Sequence, residues 1–133
     1  MATLSNKYRD EVIEALLDVS AFDAVADPHV ALYTSEPGRD DSGTELSGDG
    51  YARQEFNGTA AVDGEVTNNA DIEFGPATAD WGEVTHMAIH DGSDPATSEL
   101  VMFGALETSR NVLEDDFLRF SEDNISVTVD PDA

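Results

Sequence analysis

The sequence is defined first by what it lacks. It has no cysteine among its 133 residues, which excludes disulfide scaffolds and thiolate metal sites. No apolar run approaches the roughly 20 residues that a membrane span needs, and no signal-peptide apolar block lies near the N-terminus. Positive charge is equally scarce, with 6 Lys+Arg, of which only Lys7 is lysine, against 29 Asp+Glu. We therefore expect no membrane partner and no nucleic-acid partner, because a strongly acidic surface repels phosphates.

What the chain does have is a net charge of −23, distributed along its whole length. Its hydrophobic fraction of 40% nevertheless separates it from acidic disordered sequences. In molar salt the Debye length falls to about 3 Å, so most of the self-repulsion of such a domain is screened. The composition favours a protein from a salt-accumulating halophile or from one of its viruses. The alternative is an acidic cytosolic protein at ordinary salt.

One segment near the N-terminus has helical periodicity. Between Asn6 and Val19, apolar residues recur at helical spacing. The members of this stripe are Tyr8, Val12, Ala15, Leu16 and Val19. Ser5 or Asn6 can cap the helix, and Ile13 and Leu17 widen the stripe. We therefore predict a helix over 6–19 that packs on more than one side.

After Pro28 the pattern changes to short β segments separated by turn residues. The predicted strands are His29–Thr34, Tyr51–Phe56, Glu65–Thr67, Asp71–Phe74, Val84–His90, Leu100–Leu106, Phe117–Phe120 and Ile125–Val129. We predict a mainly β fold, an antiparallel, jelly-roll-like β-sandwich with one N-terminal α-helix. Residues 1–27 form the helix and its connector, residues 28–133 form the sandwich, and the two make a single structural domain.

No pattern in the chain indicates catalysis. His86 and His90 lie on a predicted strand, where a four-residue spacing separates side chains by about 13 Å, too far for a shared zinc ion. The acidic clusters at 40–41, 91–94 and 115–116 do not fit a calcium loop and are interpreted as solvated surface, with a weakly bound structural cation as the alternative. Nucleophile-elbow, Walker and dinucleotide motifs are absent. We expect a protein that is not an enzyme and has no catalytic residue, cofactor or metal.

Two residues outside the helix are candidates for contacts. Trp81 is the single tryptophan, either an interface or glycan-stacking anchor or, as the favoured alternative, a core residue at the end of the sandwich. Leu46 is the one large apolar residue of the Ser35–Gly50 loop. We expect Leu46 to hold this loop against the sandwich or a neighbouring subunit, while residues 39–41 remain in solvent.

Six stretches of the sequence carry a resemblance to a known family. They are LSNKYRDEVIEALL at 4–17, VALYTSEP at 30–37, GTELSG at 43–48, GYARQ at 50–54, ATADWGEVTH at 77–86 and FGAL at 103–106. In these stretches the chain resembles small virion structural proteins of tailed bacterial and archaeal viruses, commonly labelled tail-fibre or head-fibre proteins. It departs from the family mainly by extra acids, such as Asp40 and Asp115, which suits a halophilic archaeal virus.

The resemblance implies a virion component rather than an enzyme. A single sandwich of this size cannot itself form a long fibre, so we expect an oligomeric capsid decoration or turret protein at the vertices. The alternatives are a tail, baseplate or fibre component and a glycan-binding host-recognition module. The expected partners are further copies of this chain and the major capsid protein or other virion proteins. The candidate assembly contacts are Tyr8, Val12, Ile13, Leu16, Leu17, Leu46 and Trp81.

Overall fold

The computed structural model describes residues 3–21 and 25–128. Its elements in chain order are β1 (Thr3–Leu4), α1 (Asn6–Leu16), β2 (His29–Tyr33), β3 (Gln54–Glu55), β4 (Glu65–Thr67), β5 (Ile72–Phe74), β6 (Gly82–His90), β7 (Leu100–Val112), β8 (Leu118–Phe120) and β9 (Ser126–Thr128). The fold is therefore mainly β with one N-terminal helix, as predicted.

The strands form one large sheet and two ribbons, all antiparallel. The large sheet has the order β1-β7-β6-β2-β3, whereas β4-β9 and β5-β8 form two-stranded ribbons. At the centre, β6 pairs with β2 from His29↔His90 to Tyr33↔His86 and with β7 on its other side.

The main core lies between one face of the large sheet and the two ribbons. Because side chains alternate along a strand, Val30 and Leu32 of β2 face this core, and Ile72, Phe74 and Leu118 of the β5-β8 ribbon join them. The arrangement is sandwich-like, with the sheet in one layer and the ribbons in the other. A second apolar cluster occupies the opposite face of the sheet; its members are Ala31, Tyr33, Ala88, Leu100 and Phe103.

The helix begins where the sequence predicts and ends earlier. Ser5 is the N-cap, and its hydroxyl accepts a hydrogen bond from the Tyr8 N–H. The helix ends at Leu16 rather than Val19, with Leu17 as the C-cap. Asp18 follows with a φ of 57°, a left-handed conformation that cannot continue a helix.

Several strand boundaries also differ. The strand predicted over Tyr51–Phe56 contracts to β3, whereas the one predicted over Leu100–Leu106 extends to Val112. The extension contains an irregularity, because Val84 pairs with Arg110 while His86 pairs with Ala105, which leaves residues 106–109 opposite Thr85. The two-residue strand β1 was not predicted. Some residues of the predicted N-terminal segment, and the end of the predicted strand Ile125–Val129, lie outside the described residues. These are residues 1–2, 22–24 and 129–133.

Among the described residues, no helix is long and apolar enough to cross a membrane.

Candidate functional site

The first turn of α1 is attached to the sheet. Tyr8 is buried, and its hydroxyl donates to Asp91 Oδ2 at 2.7 Å. Burial and this hydrogen bond raise the pKa of Tyr8 to about 12. Beside it, the Lys7 ammonium lies 2.5 Å from the Glu99 carboxylate, and the Ser5 N–H donates to the Val101 carbonyl. The N-terminal end of the helix is thus fixed against the ends of β6 and β7.

The following turns of α1 present apolar side chains to solvent. Ile13 is 56% exposed, and the exposed fractions of Leu16, Leu17 and Val19 are 77%, 70% and 69%. We refer to Ile13, Leu16 and Leu17 as the apolar helix face; Val19 lies beyond the end of the helix. Tyr8 is the buried residue of this helix, so the wide stripe seen in the sequence is mostly unpartnered in the described chain. Exposed apolar clusters of this kind are typical of interaction sites.

The other predicted contact residues are not part of this exposed face. Val12 is half-buried, and Tyr8, Leu46 and Trp81 belong to or pack against the main core. The structure therefore brings Ile13, Leu16 and Leu17 together on one exposed surface, whereas Trp81 is buried and Leu46 is partly buried against the main core. A role of any of these residues in assembly remains a prediction.

Trp81 is a core residue, as the favoured interpretation of the sequence predicts, and not an exposed anchor. Its side chain is buried, and its indole N–H donates to the Asp49 carbonyl at 2.8 Å. Its ring meets Tyr51 edge-to-face, with the ring centroids 5.8 Å apart. The ring therefore packs within the chain and offers little surface to a glycan.

The Ser35–Gly50 loop is held against the sheet as expected. The Leu46 N–H donates to the Leu32 carbonyl at 3.0 Å, and the Leu46 side chain packs against the main core. Residues 39–41 are exposed, in agreement with the prediction. The Asp41 carboxylate nevertheless accepts the Tyr33 hydroxyl hydrogen at 2.7 Å, which ties the tip of the loop to β2.

A buried ion pair secures the end of the same loop, and it was not predicted. Arg53 donates from Nη2 and Nε to the two carboxylate oxygens of Glu45, at 2.7 and 2.8 Å. The Tyr51 hydroxyl also donates to Glu45, and a further Arg53 N–H reaches Ser98 Oγ at 2.6 Å. Burial alone would raise the pKa of Glu45, but the hydrogen bonds from Arg53 and Tyr51 outweigh it and hold the pKa below its usual range.

His90 lies beside this pair on the second face of the sheet. Its ring is 1% exposed and stacks on Tyr33, and its Nε2 lies 2.8 Å from the Tyr33 hydroxyl. Because the single hydroxyl hydrogen of Tyr33 is directed to Asp41, we assign Nε2 of His90 as the donor. Burial, followed by the nearby charge of Arg53, lowers the pKa of His90. No sequence motif indicates this contact, which joins residues 57 positions apart.

The described residues contain no group of three or more His, Asp or Glu side chains placed to hold a metal ion. His86 and His90 do lie on one strand, β6, as expected. His90 contacts Tyr33, and Nδ1 of His86 lies 2.8 Å from the Thr85 hydroxyl.

Comparison with known proteins gives one family. No curated protein matches the chain. A family model described as "Podophage GP4 fiber I protein gp80" matches residues 3–128, which is nearly the whole sequence. This description supports the fibre alternative better than capsid decoration or a turret, and it does not support an archaeal host. A protein of such a family is a component of the virion. The chain thus belongs to the podophage GP4 fiber I protein gp80 family.

Proposed function

We propose that the chain is a non-enzymatic fibre component of a tailed-virus particle that assembles with a second copy of itself through the apolar helix face. The observation that carries this proposal is the exposure of Ile13, Leu16 and Leu17, each more than half exposed on a helix whose first turn is firmly attached to the sheet. Sealing such a face against a neighbour removes apolar area from water without altering the fold.

The charges on α1 favour a second copy as the occupant. The N-terminal half of the helix carries two of the six cations, Lys7 and Arg9, which balance Asp10 and Glu11, whereas Glu14 and Asp18 make the other end negative. In an antiparallel pair related by a two-fold axis near Ile13, Arg9 of one copy approaches the negative end of the other helix at Asp18. The apolar helix face then lies at the centre of the contact. Other virion proteins, including the major capsid protein, are proposed as partners at the site where the oligomer joins the particle.

The net charge supports a salt-rich environment for this assembly. Two copies of a chain with net charge −23 repel each other strongly in dilute buffer. Screening in molar salt removes most of that repulsion, and the apolar contact then determines association. We propose a virus of a salt-accumulating, archaeal host on this basis.

Light scattering coupled to size-exclusion chromatography in 2 M NaCl tests the assembly. We expect the wild-type chain to elute as an oligomer and the double variant Leu16→Gln/Leu17→Gln to elute as a monomer. Val62→Gln is the matched control, because Val62 is an equally exposed apolar residue, 68%, on a different surface. Thermal melting of each variant checks that the fold is retained.

Two outcomes would contradict the proposal. One is an unchanged oligomer in the Leu16/Leu17 variant. The other is loss of the oligomer in the Val62 variant to the same extent, which would indicate nonspecific association.

A further inference from the structure

Two of the six cationic side chains line one cleft. The cleft lies between residues 109–112 at the end of β7 and residues 116–119 at the start of β8, and its volume is about 490 Å³. Arg110 and Arg119 both line it, and both also line an adjoining groove of about 390 Å³. Each space contains a single acid, Asp116 in the cleft and Glu107 in the groove. Together the two spaces hold two arginines and two acids, so in a chain with net charge −23 their lining is balanced in charge rather than negative.

The two arginines are available to a ligand. Arg110 forms no ion pair with any residue of 3–21 or 25–128, although acids outnumber bases almost fivefold. Arg119 has only a loose contact with Asp71, 4.0 Å between two side chains that are each more than half exposed. Such a contact contributes little, because both groups remain hydrated.

The rest of the lining combines an aromatic ring with neutral polar groups. Phe117 is 53% exposed and lines the same cleft. Ser109 and Asn111 line it as well, and Thr108 and Asn124 line the adjoining groove. Guanidinium groups bind carboxylates and sulfates with paired hydrogen bonds, hydroxyl and amide groups bind sugar hydroxyls, and an exposed ring packs on the apolar face of a sugar.

We infer that this Arg110–Arg119 cleft binds an acidic saccharide, with its carboxylate or sulfate on the two guanidinium groups and a sugar ring against Phe117. The volume falls within the roughly 300–1,000 Å³ of typical ligand pockets. An acidic peptide fits less well. A peptide would bind by adding a strand to the edge of β7, and residues 106–109 interrupt the hydrogen-bonded ladder of that strand. The inference goes beyond the proposed assembly and does not depend on it.

Binding measured at 0.3, 1 and 2 M NaCl tests the inference, because salt screens the repulsion of polyanions by the whole chain but also weakens exposed contacts between guanidinium groups and anions. The probes are polygalacturonate for carboxylate, dextran sulfate for sulfate, neutral dextran, and polyglutamate for an acidic peptide. We expect the wild-type chain to bind one of the two acidic polysaccharides and not dextran. Each of Arg110→Gln and Arg119→Gln should weaken binding roughly tenfold, the usual effect of losing a charge-assisted hydrogen bond.

Matched variants separate a specific cleft from general charge. Arg39→Gln removes one exposed cation elsewhere and should bind as the wild type does. Phe117→Ala should weaken binding with no change of the melting temperature, and Arg110→Lys should be intermediate because it keeps the charge but loses the paired hydrogen bonds. The Leu16→Gln/Leu17→Gln variant should bind normally, so failure of this inference and failure of the assembly proposal are distinguishable.

Four results would overturn the inference. They are no binding of either acidic polysaccharide, equal binding of neutral dextran, equal or tighter binding of polyglutamate, and unchanged binding by the Arg110→Gln/Arg119→Gln double variant.

Discussion

At the scale of single residues, the buried Glu45–Arg53 pair is the contact whose loss should cost most. The side chains of Arg53 and Glu45 are only 3% and 15% exposed, so removal of the arginine leaves a carboxylate that water cannot solvate well. We expect Arg53→Met to lower the free energy of unfolding by about 3–5 kcal/mol, measured by urea denaturation.

The control for this prediction is an exposed pair. Arg9 lies 2.9 Å from Asp10, with both side chains about half exposed or more, and Arg9→Met should change stability by about 1 kcal/mol or less. The double variant Glu45→Met/Arg53→Met should be more stable than Arg53→Met alone, because it leaves no buried charge. Equal effects of Arg53→Met and Arg9→Met would refute the assignment.

His90 should make the stability of the fold depend on pH. Its pKa in the fold lies below the ordinary 6.5, so the unfolded chain takes up a proton first as the pH falls. Stability is therefore complete above pH 6.5 and declines as the pH falls below that value. Glu45 and Asp91, whose pKa values are also lowered, add a further loss below their ordinary values of 4.5 and 3.8.

Thermal melts between pH 4.5 and 8 of His90→Gln test this. The variant should be less stable than the wild type at pH 8 and should show a flatter dependence between pH 5 and 6.5, because the titrating group is gone. His86→Gln on the same strand is the control and should retain the wild-type slope. An unchanged slope in His90→Gln would assign the acid sensitivity to other groups.

At the scale of secondary structure, the elements with a regular hydrophobic period could be predicted and the others could not. Glu65–Thr67 is confirmed to the residue, and the predicted strand over Val84–His90 lengthens only to Gly82. The distal half of β7 was missed because residues 107–111 are all polar or charged and are exposed, so no alternation marks them. The strand β1 is too short to carry a period, and its pairing with Met102 and Phe103 is a long-range event.

The same distinction applies to the candidate sites. The apolar helix face is visible in the sequence because its members recur at helical spacing within one element. The contacts of Tyr33 with His90, and of Arg53 with Ser98, join residues 57 and 45 positions apart. No local pattern encodes them, since they exist only after β2 and β6 pair and the Ser35–Gly50 loop folds back.

At the scale of the whole molecule, the acids have structural roles as well as charge. Within residues 3–21 and 25–128, six aspartates adopt a left-handed conformation with φ between 52° and 72°, where most other side chains are strained: Asp18, Asp41, Asp49, Asp63, Asp115 and Asp123. Asp63 and Gly64 together have the positive φ values of a tight hairpin turn between Val62 and Glu65. The acidic composition is therefore compatible with turns that other sequences build with glycine or asparagine.

The net charge gives the last prediction, that the fold is stabilised by salt through screening. In the described chain only Lys7, Arg9, Arg53 and Arg119 among the lysines and arginines pair with carboxylates, so most acids there have no Lys or Arg partner. The Debye length shortens from about 10 Å at 0.1 M salt to about 3 Å at 1 M, which removes most of the repulsion between exposed charges. Melting temperatures should therefore rise steeply below about 0.5 M NaCl and level off towards 3 M.

A steady rise across the whole range would instead indicate salting-out of apolar surface, which Leu16→Gln/Leu17→Gln should then reduce. Equal melting temperatures at 0.1 and 3 M NaCl would exclude self-repulsion as a limit on stability and, with it, the argument for a salt-rich host.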